Sequence, residues 1–404
     1  MRILAITSRF PRPAAPTAAL FSRWQWQALA RIQQVRAVVP ISWVDRLRDR
    51  IKRRNAKPLD FGALRVRYST FWFIPKILDD LQGRFYLASL RPAINRILKD
   101  FTPDAVVAVW SHPDGWAAVH LARELGVPCF IKVIGSDVLV LGRKKRRCER
   151  IAEALKEADG VIAVSHDLAR HVTELGVDPS RVHIVSEGTD RNLFRPGDQA
   201  VARQKLSIPA TGRMLLFVGN LLFSKGAGLL IEACAILRDK GLDFSCNLVG
   251  DGGDAQKLRQ LAASLNLSDR VHFPGRVAQD RLPDWYQACD LVTLPSYSEG
   301  IPNCLREAMC CGKPFVATRV GGIPEISPPN SSRLVKVGDV NELAGALADM
   351  LQSRPQVEVA FVDAQIISWD QSAGLIDRLL RESLASGWRA ATTPVSIVGQ
   401  QRFA

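Results

Sequence analysis

Cysteine is sparse and unpaired in this chain, with 8 in 404 residues, no C-x-x-C spacing and only Cys310 and Cys311 adjacent. That excludes the common zinc spacings and a disulfide framework, and it points to a reducing compartment. Long apolar runs are missing too. No stretch approaches the ~18 uninterrupted apolar residues of a membrane-spanning helix. The opening, Met1–Arg9, has too short an apolar run for a signal peptide. A soluble or peripheral protein is the expectation. The chain has no evident internal repeat or low-complexity tract. It also lacks the G-x-x-x-x-G-K-[ST] order of a Walker loop and the G-x-G-x-x-G spacing of a dinucleotide site, which argues against NAD. What is present is length and apolarity: with 47% hydrophobic residues the chain is no disordered or disulfide-stapled peptide. At roughly 150 residues per domain, two or three domains are expected.

The formal net charge of +14 is unevenly spread. Residues 1–200 hold 33 Lys+Arg against 20 Asp+Glu, while residues 201–404 hold 21 against 20. Basic residues gather in Arg46–Arg54 and again in Gly142–Arg147. Such a field attracts nucleic acid, anionic membrane or phosphorylated substrates alike. Trp43 near the first run, and Phe71-Trp72-Phe73-Ile74-Pro75 between the two, give the look of a membrane-surface element. Solvated helix faces with surplus charge are the alternative for either run. No nucleic-acid motif accompanies the charge, so nucleic acid is not an expected partner.

Short β-branched runs alternate with helical patterns: strands at Arg2–Thr7, Arg36–Val39, Ala105–Trp110, Pro128–Ile134, Gly160–Val164 and Val182–Val185, with helices near Phe21–Ile32 and Gly115–Gly126. This is the βαβ rhythm of a parallel sheet. The polar segment Phe194–Asp198 reads as a linker, and a second series follows at Met214–Val218, Ser245–Val249, Val271–Phe273, Leu291–Leu294, Pro314–Ala317 and Ser332–Val335. Two doubly wound α/β units in tandem are expected, with ligands in the cleft at the carboxyl ends of their strands.

The most informative stretch is Asp290–Gly322. After a strand comes Pro295–Asn303, and Cys304–Cys311 reads as a helix stopped by Gly312 with Pro314 beyond. Pro302 suits the first helical position. The N–H groups of Gly300, Ile301 and Asn303, with the positive helix end, would form an anion site suited to a diphosphate. Glu299 and Glu307 stand eight positions apart, roughly 12 Å along one helix. That is too far for the paired carboxylates of a retaining hydrolase, ~5 Å apart. Glu307, one turn into the helix, could accept both hydroxyls of a ribose, and Glu299 would face whatever the diphosphate carries. The alternative for either alone is an ordinary helix-surface or loop charge.

A second phosphate element is Phe217–Gly226, where Gly219 and Asn220 follow a strand and the pair Lys225-Gly226 precedes a helix. Gly219 permits close backbone approach and Lys225 offers a point charge. Val249–Gly253 reads as a tight strand-to-helix turn. Cys304, Cys310 and Cys311 fall where small buried helix residues belong.

Taken in order, these residues resemble retaining glycosyltransferases of family four, with the two-domain GT-B fold. The resemblance runs through Gly219-Asn220-Leu221, Lys225-Gly226, Val249-Gly250-Asp251-Gly252, Val271–Val277, Pro295-Ser296, Glu299–Pro302, Glu307-Ala308-Met309, Gly312-Lys313-Pro314, Ala317-Thr318, Gly321-Gly322 and Glu325. Weaker N-terminal patterns, Thr7–Pro11, Pro113-Asp114-Gly115 and Gly135-Ser136-Asp137-Val138, look like members that build cell-surface polysaccharides on lipid carriers.

The resemblance implies an acceptor-binding domain over 1–196, a donor-binding domain over 197–368, a helix near 369–388 crossing back to the first domain, and a patternless tail, 389–404. Lys225 would neutralise the donor diphosphate, and the backbone of Gly300–Asn303 would bind it. Glu307 would hold the ribose, Glu299 the transferred sugar, and the base would lie near Arg276 and Val277. Gly135, Asp137 and His112 would lie on the acceptor side. The implied reaction is retaining transfer of a hexose from a nucleoside-diphosphate sugar to a growing, lipid-linked glycan, with no cofactor and no metal. An obvious D-x-D motif is lacking. An anionic membrane surface on the cytoplasmic side is the implied location. Asn220 replaces an Arg and Ile134 a His that many relatives carry, and His112 is a capped or buried residue in the alternative reading. A non-catalytic nucleotide-sugar-binding subunit and a nucleotide-sugar epimerase are the rival functions.

Overall fold

The computed structural model describes residues 1–52, 58–72, 82–139 and 145–385. Arg53, Arg54, Phe73–Pro75, Gly142–Lys144 and the tail 389–404 lie outside the described residues. The chain divides into two compact units, one made of Met1–Gly188 with the segment from Ser368 onward, the other of Thr189–Ile367. The division thus falls earlier than the Pro196 boundary drawn from composition, because Phe194 is buried in the core of the second unit. Pro and Gly in that segment mark an irregular path on the second unit, not the passage between units.

The first unit holds a seven-stranded parallel sheet of order β3-β2-β1-β4-β5-β6-β7. Its strands are β1 (Arg2–Thr7), β2 (Gln34–Ser42), β3 (Arg65–Phe71), β4 (Ala105–Val109), β5 (Cys129–Val133), β6 (Gly160–Ala163) and β7 (Val182–Ile184). In β1, Ile3, Leu4, Ala5 and Ile6 are all fully buried, as a central strand covered on both faces requires. β3 is the strand that the hydrophobic pattern misses. Its sequence, Arg-Val-Arg-Tyr-Ser-Thr-Phe, has no apolar run, because as the edge strand beside β2 alone it keeps polar side chains toward water. The pattern also hides the helix Gln82–Leu98, which contains Pro92, a residue that ordinarily interrupts helices.

The helix Trp369–Ala385 belongs to this first unit. Trp369, Ala373, Ile376, Leu379 and Leu380 form its buried stripe at helical spacing. Their burial stabilises by on the order of 10 kcal/mol before ordering entropy is set against it. Polar contacts fix its register on the helix Leu20–Ile32: Ser372 Oγ donates to Gln25 Oε1 at 2.9 Å, Gln33 Nε2 donates to Asp377 Oδ1 at 2.7 Å just past that helix, and Arg31 pairs with Asp370.

The second unit holds a six-stranded parallel sheet of order β10-β9-β8-β11-β12-β13. These strands are β8 (Arg213–Val218), β9 (Phe244–Val249), β10 (Val271–Gly275), β11 (Leu291–Leu294), β12 (Phe315–Thr318) and β13 (Ser332–Val335). Strand order reverses between β1 and β4 in one unit and between β8 and β11 in the other. The crevice beyond the carboxyl ends of such a pair is where open α/β sheets hold ligands.

Candidate functional site

In the second unit, the sequence-predicted residues gather at the carboxyl ends of β8 and β11. β8 runs into Gly219, whose N–H donates to Val249 O at 3.0 Å. Gly250, with φ +148°, lies so near that an added Cβ would stand 1.8 Å from Gly219 O. Only glycine fits there, and the β8 and β9 turns pack backbone to backbone. Asn220 is exposed at this turn. A 3₁₀ turn, Phe223–Lys225, then delivers Lys225, and Gly226 at φ +75° opens the helix Ala227–Asp239. An added Cβ on Gly226 would meet Pro295 O at 1.9 Å. The β8 turn is therefore held against the β11 loop, helped by the Tyr297 N–H bond to Ser224 O at 3.0 Å.

That contact brings two predicted residues together: Lys225 Nζ lies 2.8 Å from Glu299 Oε1. Ser296 Oγ donates to the same oxygen at 2.7 Å. Ser296 is fully buried and its carbonyl is capped by the Thr318 hydroxyl. The Glu299 carboxylate is fixed by two donors and is 11% exposed at its side chain, against 30% for Lys225.

Beyond Glu299 the chain turns through Gly300, whose carbonyl accepts the Gly322 N–H at 2.8 Å. An added Cβ on Gly321 would stand 1.9 Å from Glu299 O. Pro302 is not the first helical residue. It is extended, at φ −75° and ψ 126°, and caps the helix Asn303–Cys310 without a side-chain hydrogen bond. Proline has no N–H to leave unsatisfied and its ring suits this extended entry. The first-turn N–H groups of Asn303 and its successors thus carry the positive end of the helix.

Glu307 stands one turn further and is 7% exposed. Its Oε2 accepts the buried Tyr286 hydroxyl at 2.8 Å and its Oε1 accepts Gln279 Nε2 at 3.2 Å. Burial pushes its carboxyl above the usual carboxylate range, opposed mainly by the Tyr286 hydroxyl. Gln279 follows closely on Arg276, which is exposed, and Val277, which is half-buried, in the loop after β10. Cys304 lies between the two glutamates: burial first, then the charges of Glu299 and Glu307, push its thiol up. Burial likewise lifts Cys310 to about 11, so these thiols stay protonated and inert near neutrality. Tyr286, Gln279 and Ser296 are site residues that sequence reasoning missed as such. Only Ser296, inside the Pro295-Ser296 pattern, left a signal.

In the first unit, Asp137 is fully buried. Its Oδ1 accepts the N–H groups of Ile134 and Gly135 at 3.1 and 3.0 Å, and its Oδ2 accepts that of Ser111 at 3.2 Å. It ties the loop after β5 to the one after β4. Burial holds its carboxyl up at about 6 despite those three donors. His112, also buried, follows Ser111 and precedes a cis peptide to Pro113. Among the described residues, no group of three or more His, Cys, Asp or Glu is placed to hold a metal ion, and no helix is long and apolar enough to cross a membrane.

Residues 198–362 match the family Glycosyl transferases group 1, and residues 63–193 match Glycosyltransferase Family 4. The chain is similar to D-inositol 3-phosphate glycosyltransferases. The protein of that name from Acidothermus cellulolyticus is 33% identical over 261 residues, 61% of this chain and 58% of the relative. The one from Mycolicibacterium vanbaalenii is 32% identical over 286 residues, 67% of this chain and 62% of the relative. The alignments therefore span less than two thirds of these relatives' length. Among solved structures, a sucrose-phosphate synthase from Thermosynechococcus elongatus has TM-score 0.79 at 21% identity, covering 96% of this chain and 100% of that one. Anabaena HepE in complex with UDP has TM-score 0.71 at 20% identity, with 96% and 100% covered. These two likenesses show the fold, the GT-B pairing of two Rossmann-like units. Two family matches that together run from residue 63 to residue 362, over an ordered set of strand-end motifs, place the chain among the family-4-type glycosyltransferases.

Proposed function

We propose that this protein transfers a hexose, with retention, from a nucleoside-diphosphate sugar to a growing, lipid-linked glycan. The observation that carries the reading is the cluster at β8 and β11, where Lys225, Glu299 and the entry to the helix Asn303–Cys310, whose cap makes no side-chain hydrogen bond, converge. Lys225 and the first-turn N–H groups offer positive charge for a diphosphate. Glu307, with both oxygens already oriented by Tyr286 and Gln279, keeps one lone-pair site on each for the ribose hydroxyls. Arg276 and Val277 border the base, Gly219 lets the backbone approach the phosphates, and Asn220 and Gly226 complete that turn. Glu299 faces the sugar.

Such a site works by placing charge where it develops. The diphosphate departs, the anomeric carbon becomes oxocarbenium-like, and the acceptor oxygen attacks from the face the leaving group vacates. A leaving phosphate oxygen takes the acceptor's proton. Lys225 and the helix end supply the neutralising charge, and the proposed reaction needs no metal.

The first unit would present the acceptor, through His112, Gly135 and Asp137, at an anionic cytoplasmic leaflet. The helix Trp43–Lys52 supports the membrane part. Trp43, Leu47 and Ile51 recur every four residues on one side. Leu47 is 55% and Ile51 78% exposed, and Trp72, 64% exposed, stacks on Trp43. Asp45 and Asp49, on the opposite side, bind Arg12. Arg48 and Arg50 stay exposed beside the apolar stripe. A second reading of the acceptor, a soluble phosphorylated polyol, is supported by the names of the D-inositol 3-phosphate relatives.

The test is a thermal-shift and saturation-transfer NMR screen against UDP-, GDP-, ADP- and dTDP-sugars, repeated with Glu307→Ala and Lys225→Ala. One preferred donor, lost in both variants, is expected. No binding to any donor would remove the enzyme reading. Donor binding with neither transfer nor slow donor hydrolysis would favour the non-catalytic subunit, and donor isomerisation the epimerase.

A further inference from the structure

The first unit has its own strand-order reversal, between β1 and β4, and the residue that commands it is Arg9. Just after β4, Trp110 takes φ +100°, a conformation that side-chain-bearing residues rarely adopt and that concentrates at functional sites. It is held there by its N–H bond to Lys132 O at 2.9 Å and by the Gly115 N–H bond to its own carbonyl at 3.0 Å. The indole so placed lies 3.8 Å beneath the Arg9 guanidinium carbon.

Arg9 is fixed from the other side as well. Its N–H donates to Thr7 Oγ1 at 3.1 Å. The N–H and hydroxyl of the preceding Ser8 donate to Asp114 Oδ2 at 2.9 and 2.7 Å. Asp114 is fully buried and also accepts the Tyr86 hydroxyl. Arg9 is exposed, and among the described residues no carboxylate forms an ion pair with its guanidinium. Two other cations of this unit are committed among the described residues: Arg12 to Asp49, and Lys132, buried, to Glu187. With one face of Arg9 covered by indole, the N–H edges of the guanidinium keep the fork that matches phosphate oxygens two at a time.

We propose that Arg9 binds a phosphate group of the acceptor. The proposal rests on the reading of the first unit as the acceptor side, and it deepens that reading by giving the acceptor its charge. A lipid diphosphate and a polyol phosphate share this chemistry. A cation stacked on Trp110, on a backbone held by Thr7 and the Asp114–Ser8 bonds, and near enough to buried Asp114 to feel its charge without pairing with it, is the arrangement of a binding group. Asp114 is a positioning residue that acts through Ser8.

The experiment titrates the full chain carrying Lys225→Ala, which removes the donor-side cation, with methyl phosphate and with geranyl diphosphate by calorimetry. Both probes are expected to bind, and adding Arg9→Ala should weaken each at least tenfold. Arg9→Lys should recover only part of that loss, because an ammonium has no fork. If Arg9→Ala fails to fold, the Arg9→Lys comparison decides. Stronger binding of geranyl diphosphate assigns the anion to a lipid carrier, and equal binding assigns it to a soluble phosphate ester; either supports the site. Unchanged affinity on substitution of Arg9, or no binding of either probe to the Lys225→Ala protein, overturns it. Failure of the transferase reading shows separately, as wild-type protein that binds no nucleotide sugar while Arg9-dependent phosphate binding persists.

Discussion

The Lys225 ammonium and the Glu299 carboxylate meet at 2.8 Å across the gap between the β8 turn and the β11 loop. Lys225 is partly exposed, so the pair contributes only about 0–1 kcal/mol to stability. Far more of the local structure is invested in bringing them together. Gly226 gives up a side chain to let Pro295 O approach, Gly321 does the same for Glu299 O, and buried Ser296 holds the carboxylate. A contact so supported and so little stabilising fits the proposed role of the two charges toward a ligand.

Lys225→Ala and Glu299→Gln should therefore separate. Loss of the ammonium should weaken nucleotide-sugar binding by about tenfold or more, the order expected for a charge-assisted contact to phosphate. Glu299→Gln keeps the shape and the Ser296 contact, so donor affinity should change little while turnover falls by about a hundredfold. Isothermal titration and transfer assays read the two quantities. Equal damage to affinity in both variants would contradict the division of roles.

Tyr286→Phe probes the carboxylate that sequence reasoning found without its partners. The hydroxyl donates to Glu307 from a fully buried position. Its loss should destabilise by about 1–3 kcal/mol. It also favours the ionised form of Glu307, against burial. Removing it must raise the Glu307 pKa further, so the acid limb of donor binding should move to higher pH. Titrations at several pH values check this, and an unmoved limb would mean that ribose recognition does not use ionised Glu307.

Much of this was readable in advance, and the exceptions share a cause. Leu291–Leu294 and Phe315–Thr318 are strands where expected because buried parallel strands show as short apolar runs. β3 escapes because an edge strand does not have to be apolar. Glycines mark the tight turns of the candidate site, since Gly226, Gly250 and Gly321 admit no Cβ. What no local pattern reveals is the company a residue keeps at a distance in sequence. Tyr286 and Gln279 lie 21 and 28 positions from Glu307, and Arg9 and Trp110 come together only because β1 and β4 are neighbours in the sheet. Pro302, by contrast, was misplaced by one position because proline's fixed φ suits both the cap and the first turn.

Gly321→Ala tests whether the β11 loop needs its close backbone approach. At φ +54°, with Glu299 O 1.9 Å from the added Cβ, the chain can escape only by moving backbone. A cost of about 2–3 kcal/mol is expected, together with weaker donor binding as Glu299 and the Gly300 carbonyl shift. Gly345→Ala is the control, since nothing lies within 4 Å of its added Cβ, and it should be neutral or slightly stabilising in mid-helix. Urea unfolding of the two variants ranks them, and a Gly321→Ala protein as stable as the control would refute the close-packing account.

Asp114 gives a pH signature in the first unit. Burial raises its carboxyl from 3.8 to about 6, outweighing the opposing bonds from Tyr86 and Ser8. A raised pKa means that between about pH 4 and pH 6 the folded chain holds a proton there that the unfolded chain has released. The contribution to stability is fully present below the unfolded value and is lost as pH rises through the folded one. The loss is roughly 3 kcal/mol, at about 1.4 kcal/mol for every tenfold change in proton affinity. Asp137, also raised to about 6, acts in the same direction, while exposed Asp100 and Asp178 are shifted down and oppose it. Asp114→Asn cancels only the first of these. Its stability deficit relative to the parent should therefore shrink as pH rises from 4 to 7, because the parent loses a contribution that asparagine never titrates. Urea midpoints for both proteins across that range measure the difference directly. A deficit that is constant with pH would place the Asp114 carboxyl at its ordinary value and remove burial as the dominant influence at the β1–β4 junction.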